Sequence, residues 1–172
     1  KRDSNHSQSS EYLKKATAFS PAFVFPFRME TIPVYNWANQ QLPSWKTTYY
    51  LGLIHWNNLH HDKAKELFEA CGNEPDFAAF YLAKAALLQG DKAKQNMVAA
   101  SLERAQQLEP AEWRTWHARN EFYLNGNKYE QAVKEAATAY KRFPQNPIIA
   151  MDYARALLNT QRLKECLAVL NK

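Results

Sequence analysis

The stretch that decides the fold is residues 113–146, WRTWHARNEFYLNGNKYEQAVKEAATAYKRFPQN, in which two apolar runs flank the turn Asn125-Gly126-Asn127. Small and slim residues recur through the chain at a constant spacing of 34 residues. The two series are Ala64, Val98, Ala132, Cys166 and Gly52, Ala86, Asn120, Ala154. Small side chains are what two helices need in order to approach closely. The period therefore predicts an array of helix–turn–helix units, which bury their apolar faces only by stacking on one another.

The period divides most of the chain into four units, which we expect at residues 45–78, 79–112, 113–146 and 147–172. Residues 1–44 are less regular and predict a further helix pair. Its first helix covers residues 11–19, and its second ends near Gln41 and carries Pro33 in its first turn. We expect the aromatic loop between them, Phe23–Arg28, to pack against the neighbouring helices. The sequence thus predicts one continuous all-α domain, a right-handed α-α superhelix of antiparallel helix pairs.

The residues at these spacings resemble the tetratricopeptide repeat family. The third unit carries the family pattern in Trp116, Tyr123, Ala132, Ala139 and Pro144. The first unit shares it through Leu51-Gly52, Ala64 and Phe68, whereas the second and fourth depart from it at several places. The resemblance covers residues 45–172. It implies a helical solenoid whose first helices line a concave groove that holds a protein segment.

A second resemblance concerns the phrases Val24–Arg28, Tyr49–Gly52 and Cys71-Gly72, which look like those of a group of large bacterial proteins. In that group, tetratricopeptide repeats follow a large β-rich domain of uncharacterised function, suspected of acting on carbohydrates. This resemblance implies an alternative role as an accessory, buttressing region of such a protein. A buttress would expose an apolar patch near Phe23, Phe25 and Phe27.

Composition argues against several other classes of protein. The net charge is +5, but the 22 basic residues are interspersed with 17 acidic ones, which is typical of a mixed solvated surface and not of a nucleic-acid-binding stripe. No long uncharged apolar run is present, so we expect no membrane partner. Cys71 and Cys166 fall on packing positions and predict buried, reduced thiols. These features favour a location in the cytoplasm. The sequence begins at Lys1, so a targeting signal upstream of it is left as an alternative.

A search for chemistry finds no catalytic motif, so we expect no enzyme activity and no cofactor within this chain. His55, His60 and His61 suggest a metal site at first sight. However, two ligands on one helix face need a spacing of three or four residues, and these histidines miss it. Neither cysteine has a partnering histidine at a recognisable spacing. The sequence therefore predicts no metal site.

What remains is a binding surface on the first helix of each unit. We expect it to hold a protein or peptide, or another domain of the same polypeptide, with self-association through the end repeats as a further possibility. A terminal-carboxylate clamp is not expected, because Tyr49 and Leu53 stand where that subgroup of the family carries Lys and Asn. The predicted partner-binding residues are Tyr49, Leu53, Trp56, Lys84, Arg114, His117, Glu121 and Arg155.

Overall fold

The structure is a computed structural model that describes the backbone of residues 2–171 and the side chains of residues 8–171. Over this range the chain forms ten α-helices and two short 3-10 turns, and it forms no strand. The helices are α1 Arg2–Ala18, α2 Ile32–Gln41, α3 Trp45–Asn57, α4 His61–Ala70, α5 Ala78–Leu88, α6 Gln95–Leu108, α7 Trp113–Asn125, α8 Tyr129–Arg142, α9 Pro147–Asn159 and α10 Leu163–Leu170. The predicted all-α class is confirmed.

The helices follow the predicted order, with one clear difference at the start of the chain. Helix α1 begins at Arg2, nine residues before the predicted start at Glu11. None of the helices in the described part of the chain is long and apolar enough to span a membrane. The chain divides within α5 into two compact units, of which the first ends at Phe80 and the second begins at Tyr81.

The core of the first unit is a cluster of aromatic rings between α3 and α4. Phe68 and Phe80 are fully buried and stack with their ring centroids 5.4 Å apart. Tyr49 meets both rings edge-on, at 5.5 Å and 5.4 Å. Gly52 lies directly against Phe68, since a Cβ built on Gly52 would be only 2.8 Å from Phe68 Cδ2. The small residue predicted at position 52 is therefore needed to seat this ring.

Polar contacts fix the helix junctions of the first unit. Ser44 caps α3 by accepting a hydrogen bond from the Lys46 backbone N–H at 3.2 Å. The Lys46 ammonium group donates to the carbonyl oxygens of Thr17 and Phe19, at 2.8 Å and 2.6 Å. These carbonyls lie at the C-terminal end of α1, where a cation complements the helix dipole. Lys46 thus attaches the end of α1 to the start of α3.

The aromatic loop after α1 departs from the sequence prediction. Phe23, Phe25 and Phe27 are 91%, 72% and 55% exposed, so the expectation that this loop packs against neighbouring helices is wrong. Phe23 also has a φ of 63°, a left-handed conformation that bulky side chains rarely adopt. The loop is held from one side, where Asn58 Nδ2 donates to the Phe27 carbonyl at 2.9 Å. Its phenylalanine rings therefore face outward from an anchored backbone.

The turn between α3 and α4 contains a left-handed residue that is not a glycine. Helix α3 ends at Asn57, and Leu59 follows with a φ of 63°. The Asn58 backbone N–H and side-chain Nδ2 both donate to the Ile54 carbonyl, at 3.1 Å and 2.7 Å, which closes the helix end. The backbone N–H of His60 then bonds the His55 carbonyl at 2.9 Å.

The second unit buries two apolar clusters. One consists of Ala85 and Leu88 of α5 and Val98 and Leu102 of α6, and the partly buried Ala118 and Phe122 of α7 pack against it. The other joins α7 to α10 and contains three of the eight predicted small positions, Ala132, Ala154 and Cys166. Its buried members are Leu124, Ala132, Val133, Ala136, Ala154, Ala156, Leu157, Cys166 and Val169. Both cysteines are buried, as predicted, and they form no disulfide with each other.

One of the eight predicted small positions behaves differently, because Ala86 is exposed. Ala85 is the alanine that lies in the buried cluster with Val98. On α5 the residue that packs toward α6 is therefore Ala85, one position before the residue that the 34-residue period predicts. The other seven positions, Gly52, Ala64, Val98, Asn120, Ala132, Ala154 and Cys166, are buried.

A buried ion pair connects three helices of the second unit. Arg119 on α7 bonds the Glu135 carboxylate on α8 at 3.1 Å, and the two side chains are only 19% and 14% exposed. The same guanidinium group donates to Gln106 of α6 and, at 3.3 Å, to the Tyr123 hydroxyl. Because each of the three guanidinium nitrogens has an acceptor, this network fixes the relative positions of α6, α7 and α8.

Candidate functional site

Two of the eight predicted binding residues lie in the interior. Tyr49 is 3% exposed and belongs to the ring cluster around Phe68, so the expectation that it faces a groove is wrong. Burial is the main reason that its pKa is raised to about 12. Lys84 is 9% exposed and is buried as well. Neither side chain is available to a partner in this structure.

Leu53 and Trp56 are half-buried on α3 and line an apolar hollow of about 430 Å³ in the first unit. The opposite wall of this hollow is the exposed aromatic loop, which contributes Phe25 and Phe27. Trp56 is positioned by an edge-on contact with Phe68, at a centroid distance of 6.0 Å. These two predicted residues therefore do face a surface, and an apolar one.

The other four predicted residues lie together in the second unit. Arg114, His117 and Glu121 occur at intervals of three and four residues along α7, so they share one helix face. Arg155 lies on α9, 34 residues after Glu121, and its guanidinium group pairs with the Glu121 carboxylate. Asp152, one turn earlier on α9, joins the group. We refer to Arg114, His117, Glu121, Asp152 and Arg155 as the α7–α9 cluster.

The strongest contact of the cluster joins His117 to Asp152. His117 Nδ1 donates to Asp152 Oδ2 at 2.8 Å, and Asp152 is only 2% exposed. This hydrogen bond is the main reason that the pKa of His117 is raised above 6.5, although partial burial acts in the opposite direction. The arrangement sets the imidazole in one orientation, with a buried carboxylate behind it.

Arg114 is held at the edge of the cluster by its own helix start. Glu112 caps α7 by accepting from the Arg114 backbone N–H at 3.1 Å, and it also pairs with the Arg114 guanidinium at 2.8 Å. The guanidinium lies 4.8 Å from the centroid of the Trp113 ring, a cation–π geometry. A side chain that is more than half exposed is thus presented from a defined position.

An apolar hollow adjoins the charged side chains. It has a volume of about 260 Å³ and lies between α5, α6 and α7. Arg114, His117 and Glu121 form part of its lining, together with apolar and small side chains. The latter include Leu82, Ala85, Ala86, Val98, Leu102, Ala118 and Phe122. The surface therefore combines an apolar depression with side chains of both charges, as protein-binding surfaces do.

The geometry of the α7–α9 cluster also raises the question of a metal ion. His117, Glu121 and Asp152 bring one ligand atom each to within 4.8 Å of one another. However, Arg155 donates to Glu121 and adds a positive charge beside the three ligands. That charge disfavours a cation, so the cluster fits an ion-pair network better than a metal centre.

The predicted residue list did not include Asp152, because a carboxylate at this position carries no sequence sign of burial. The one sequence feature that could have identified Asp152 is its separation from His117 along the chain. The two residues are 35 positions apart, one more than the repeat period, which places them on neighbouring first helices at nearly the same level. The same reasoning pairs Glu121 with Arg155.

Comparisons with known proteins agree with this architecture. The sequence profile of the tetratricopeptide repeat family matches residues 123–172. Three solved structures illustrate the likeness. MamA RS-1, solved as the ArsTM double mutant, has a TM-score of 0.72 at 14% identity, over 94% of this chain and 90% of that one. MamA AMB-1 gives 0.66 at 13% identity, over 96% and 90% of the two chains.

The third is YrrB, described as a TPR protein with an unusual peptide-binding site. It gives a TM-score of 0.65 at 16% identity, over 97% of this chain and 79% of its own. A search of curated proteins found no match. At such identities the structural likeness establishes the fold alone, and the profile match covers the last turn of α7 and the helices α8 to α10. The profile match thus shows tetratricopeptide repeat sequence in residues 123–172, and the structural likeness shows that the chain has the fold of the tetratricopeptide repeat proteins.

Proposed function

We propose that this chain is a non-catalytic protein-interaction module that binds a peptide segment on the second unit, at the α7–α9 cluster and the hollow beside it. The observation that carries the proposal is the placement of Arg114, His117 and Glu121 along one edge of an apolar depression. An extended peptide placed there would bury an apolar side chain in the hollow. Its polar groups would meet oriented donors and acceptors on the rim.

The rigidity of the rim supports this function. His117 is held by buried Asp152, Glu121 by Arg155, and Arg114 by Glu112 and the Trp113 ring. Side chains that are already ordered lose less conformational entropy on binding. YrrB, which has a similar fold, is described as having a peptide-binding site, and this description is consistent with the proposal.

The alternative function, an accessory region of a carbohydrate-active bacterial protein, is less well supported. The exposed phenylalanines at 23, 25 and 27 do meet its one surface criterion. Exposed aromatic side chains equally suit a second contact with a protein partner. The likeness to YrrB, which is described as having a peptide-binding site, favours the interaction module.

The test is selection of peptides from a random display library on the purified chain, followed by affinity measurements with the best binders. We compare the parent chain with a His117→Ala, Arg155→Ala variant and with Arg162→Ala. The last is a matched control, since Arg162 forms a similar exposed inter-helix pair, with Glu130, outside the hollow.

The proposal predicts that the double variant loses at least about tenfold in affinity while the control keeps parental affinity. Circular dichroism checks that both variants remain helical. Selected peptides that bind the double variant as tightly as the parent would show that the α7–α9 cluster is not the binding site.

A further inference from the structure

We propose that His55 and His60 together form a binding site for a divalent transition metal ion of the Zn²⁺ or Ni²⁺ class. The site lies at the junction of α3 and α4 in the first unit and does not involve the α7–α9 cluster. It is independent of the peptide-binding function proposed above. Its basis is the close approach of the two imidazole rings in the structure. The spacing of the histidines in the sequence had argued against a metal site here.

The fold overturns the spacing argument because the two histidines do not share a continuous helix. His55 lies in the last turn of α3, and His60 precedes α4. Between them the chain reverses through Leu59, with its left-handed φ of 63°. The hydrogen bond from the His60 N–H to the His55 carbonyl, 2.9 Å long, closes this turn. A separation of five residues thus places the rings side by side.

The two rings meet through the same nitrogen. His55 Nδ1 and His60 Nδ1 are 3.3 Å apart, and the ring centroids are 5.5 Å apart. In the metal-free form one nitrogen therefore donates a proton to the lone pair of the other. With metal–nitrogen bonds of about 2.05 Å, a separation of 3.3 Å corresponds to a ligand–metal–ligand angle of about 107°, close to the tetrahedral value. A metal ion would replace the shared proton, and the rings would tilt slightly about χ2 to aim both lone pairs at it.

Ligation requires an imidazole ring to be neutral, and the surroundings of His55 favour that form. The pKa of His55 is lowered from 6.5, first by desolvation and then by the nearby charges of His60 and Lys63. Lys63 is the opposing charge at this site, but its ammonium group is paired with Glu66 at 2.7 Å. Two imidazole ligands select Zn²⁺, Ni²⁺ or Cu²⁺ over Mg²⁺ and Ca²⁺, which prefer oxygen. Water or a partner side chain would complete the coordination.

The experiment is isothermal titration of the untagged, metal-free chain with ZnCl₂ and NiCl₂ at pH 7.5, and with MgCl₂ for comparison. The variants are His55→Gln and His60→Gln. The matched control is His61→Gln, because His61 is the exposed neighbour of the pair and is not bonded to it in the structure. Proton NMR of the imidazole signals provides a second measurement, which identifies the rings that change on metal addition.

The proposal predicts one Zn²⁺ per chain. Each of the two site variants should lose affinity by at least about tenfold, while His61→Gln and the parent bind equally. Binding should also weaken as the pH is lowered, because protons compete with the metal ion for the ring nitrogens. The proposal is overturned if no saturable zinc binding is found, if His61→Gln weakens binding as much as the site variants do, or if the imidazole signals of His55 and His60 do not respond.

Discussion

The replacement Gly52→Ala tests the most sharply defined contact in the fold. A Cβ at position 52 would lie 2.8 Å from Phe68 Cδ2 and 2.9 Å from Cε2, distances that real Cβ atoms essentially never show. The Phe68 ring cannot easily move away. It is fully buried, stacked on Phe80 at 5.4 Å and contacted edge-on by Tyr49 at 5.5 Å. The added methyl group therefore has to displace a ring that is packed on several sides.

The magnitude follows from two opposing effects. Overpacking a well-filled core costs about 1–3 kcal/mol, and a clash with a ring packed on several sides belongs in the upper half of that range, about 2–3 kcal/mol. Alanine is favoured over glycine inside a helix by about 1 kcal/mol, which offsets part of that cost. We expect a net loss of about 1–2 kcal/mol in the free energy of unfolding. For a chain of this size, that corresponds to a decrease in Tm of roughly 2–8 °C.

Thermal unfolding followed by circular dichroism measures this change, with Gly90→Ala as the matched control. No atom lies within 4 Å of a Cβ built at Gly90, and its φ is not in the left-handed region. The control should therefore be neutral or slightly stabilising. In a Phe68→Leu background, Gly52→Ala should cost less, because the smaller side chain leaves space for the methyl group. If Gly52→Ala is as stable as the parent, the close packing of α3 on α4 has been misjudged.

Three further predictions concern titration and reactivity. Because the pKa of His117 is higher in the folded than in the unfolded chain, its stabilising effect is complete below pH 6.5 and is lost as the pH rises through the folded pKa; an NMR titration should show this raised pKa, and Asp152→Asn should remove the increase. Tyr49 should ionise only near pH 12, so folding loses stability above pH 10, and Tyr49→Phe should remove the latest step of the absorbance titration at 295 nm. Cys71 and Cys166, both buried, should react with a thiol reagent only after unfolding in urea; fast reaction of the native chain would contradict their burial.

The sequence was sufficient to predict the fold because repeat packing leaves a signal at fixed spacing. Positions 64, 98, 132 and 166 must be small or slim in every unit, and Ala64, the first of them, is fully buried as predicted. Helix ends were also readable from turn residues such as Gly72, whose φ of 59° requires a glycine-like conformation. The aromatic loop lacked any such constraint. Its outward phenylalanines depend on a backbone path that periodicity does not describe.

The site was predicted less completely, for two physical reasons. A position on a helix face is buried or exposed according to what packs beside it, and Tyr49 is covered by Phe80, which is distant in sequence. Pairs of residues that meet across a turn depend on single backbone angles. The contact of His55 with His60 depends on the left-handed conformation of Leu59, which cannot be predicted from the sequence. By contrast, Glu121 and Arg155 could be paired from the period alone.

The pairing of Glu121 with Arg155 bears on how the number of repeats in such a chain can change. These residues occupy equivalent positions in successive units, and they carry opposite charges. An in-frame duplication of residues 113–146 would place one Glu121 beside a second copy of itself, and two like charges at contact distance repel. A duplicated unit would then be tolerated only with a charge change at that position. Because of this ion pair, the third and fourth units fit each other but cannot be exchanged. The pair therefore favours a fixed number of repeats.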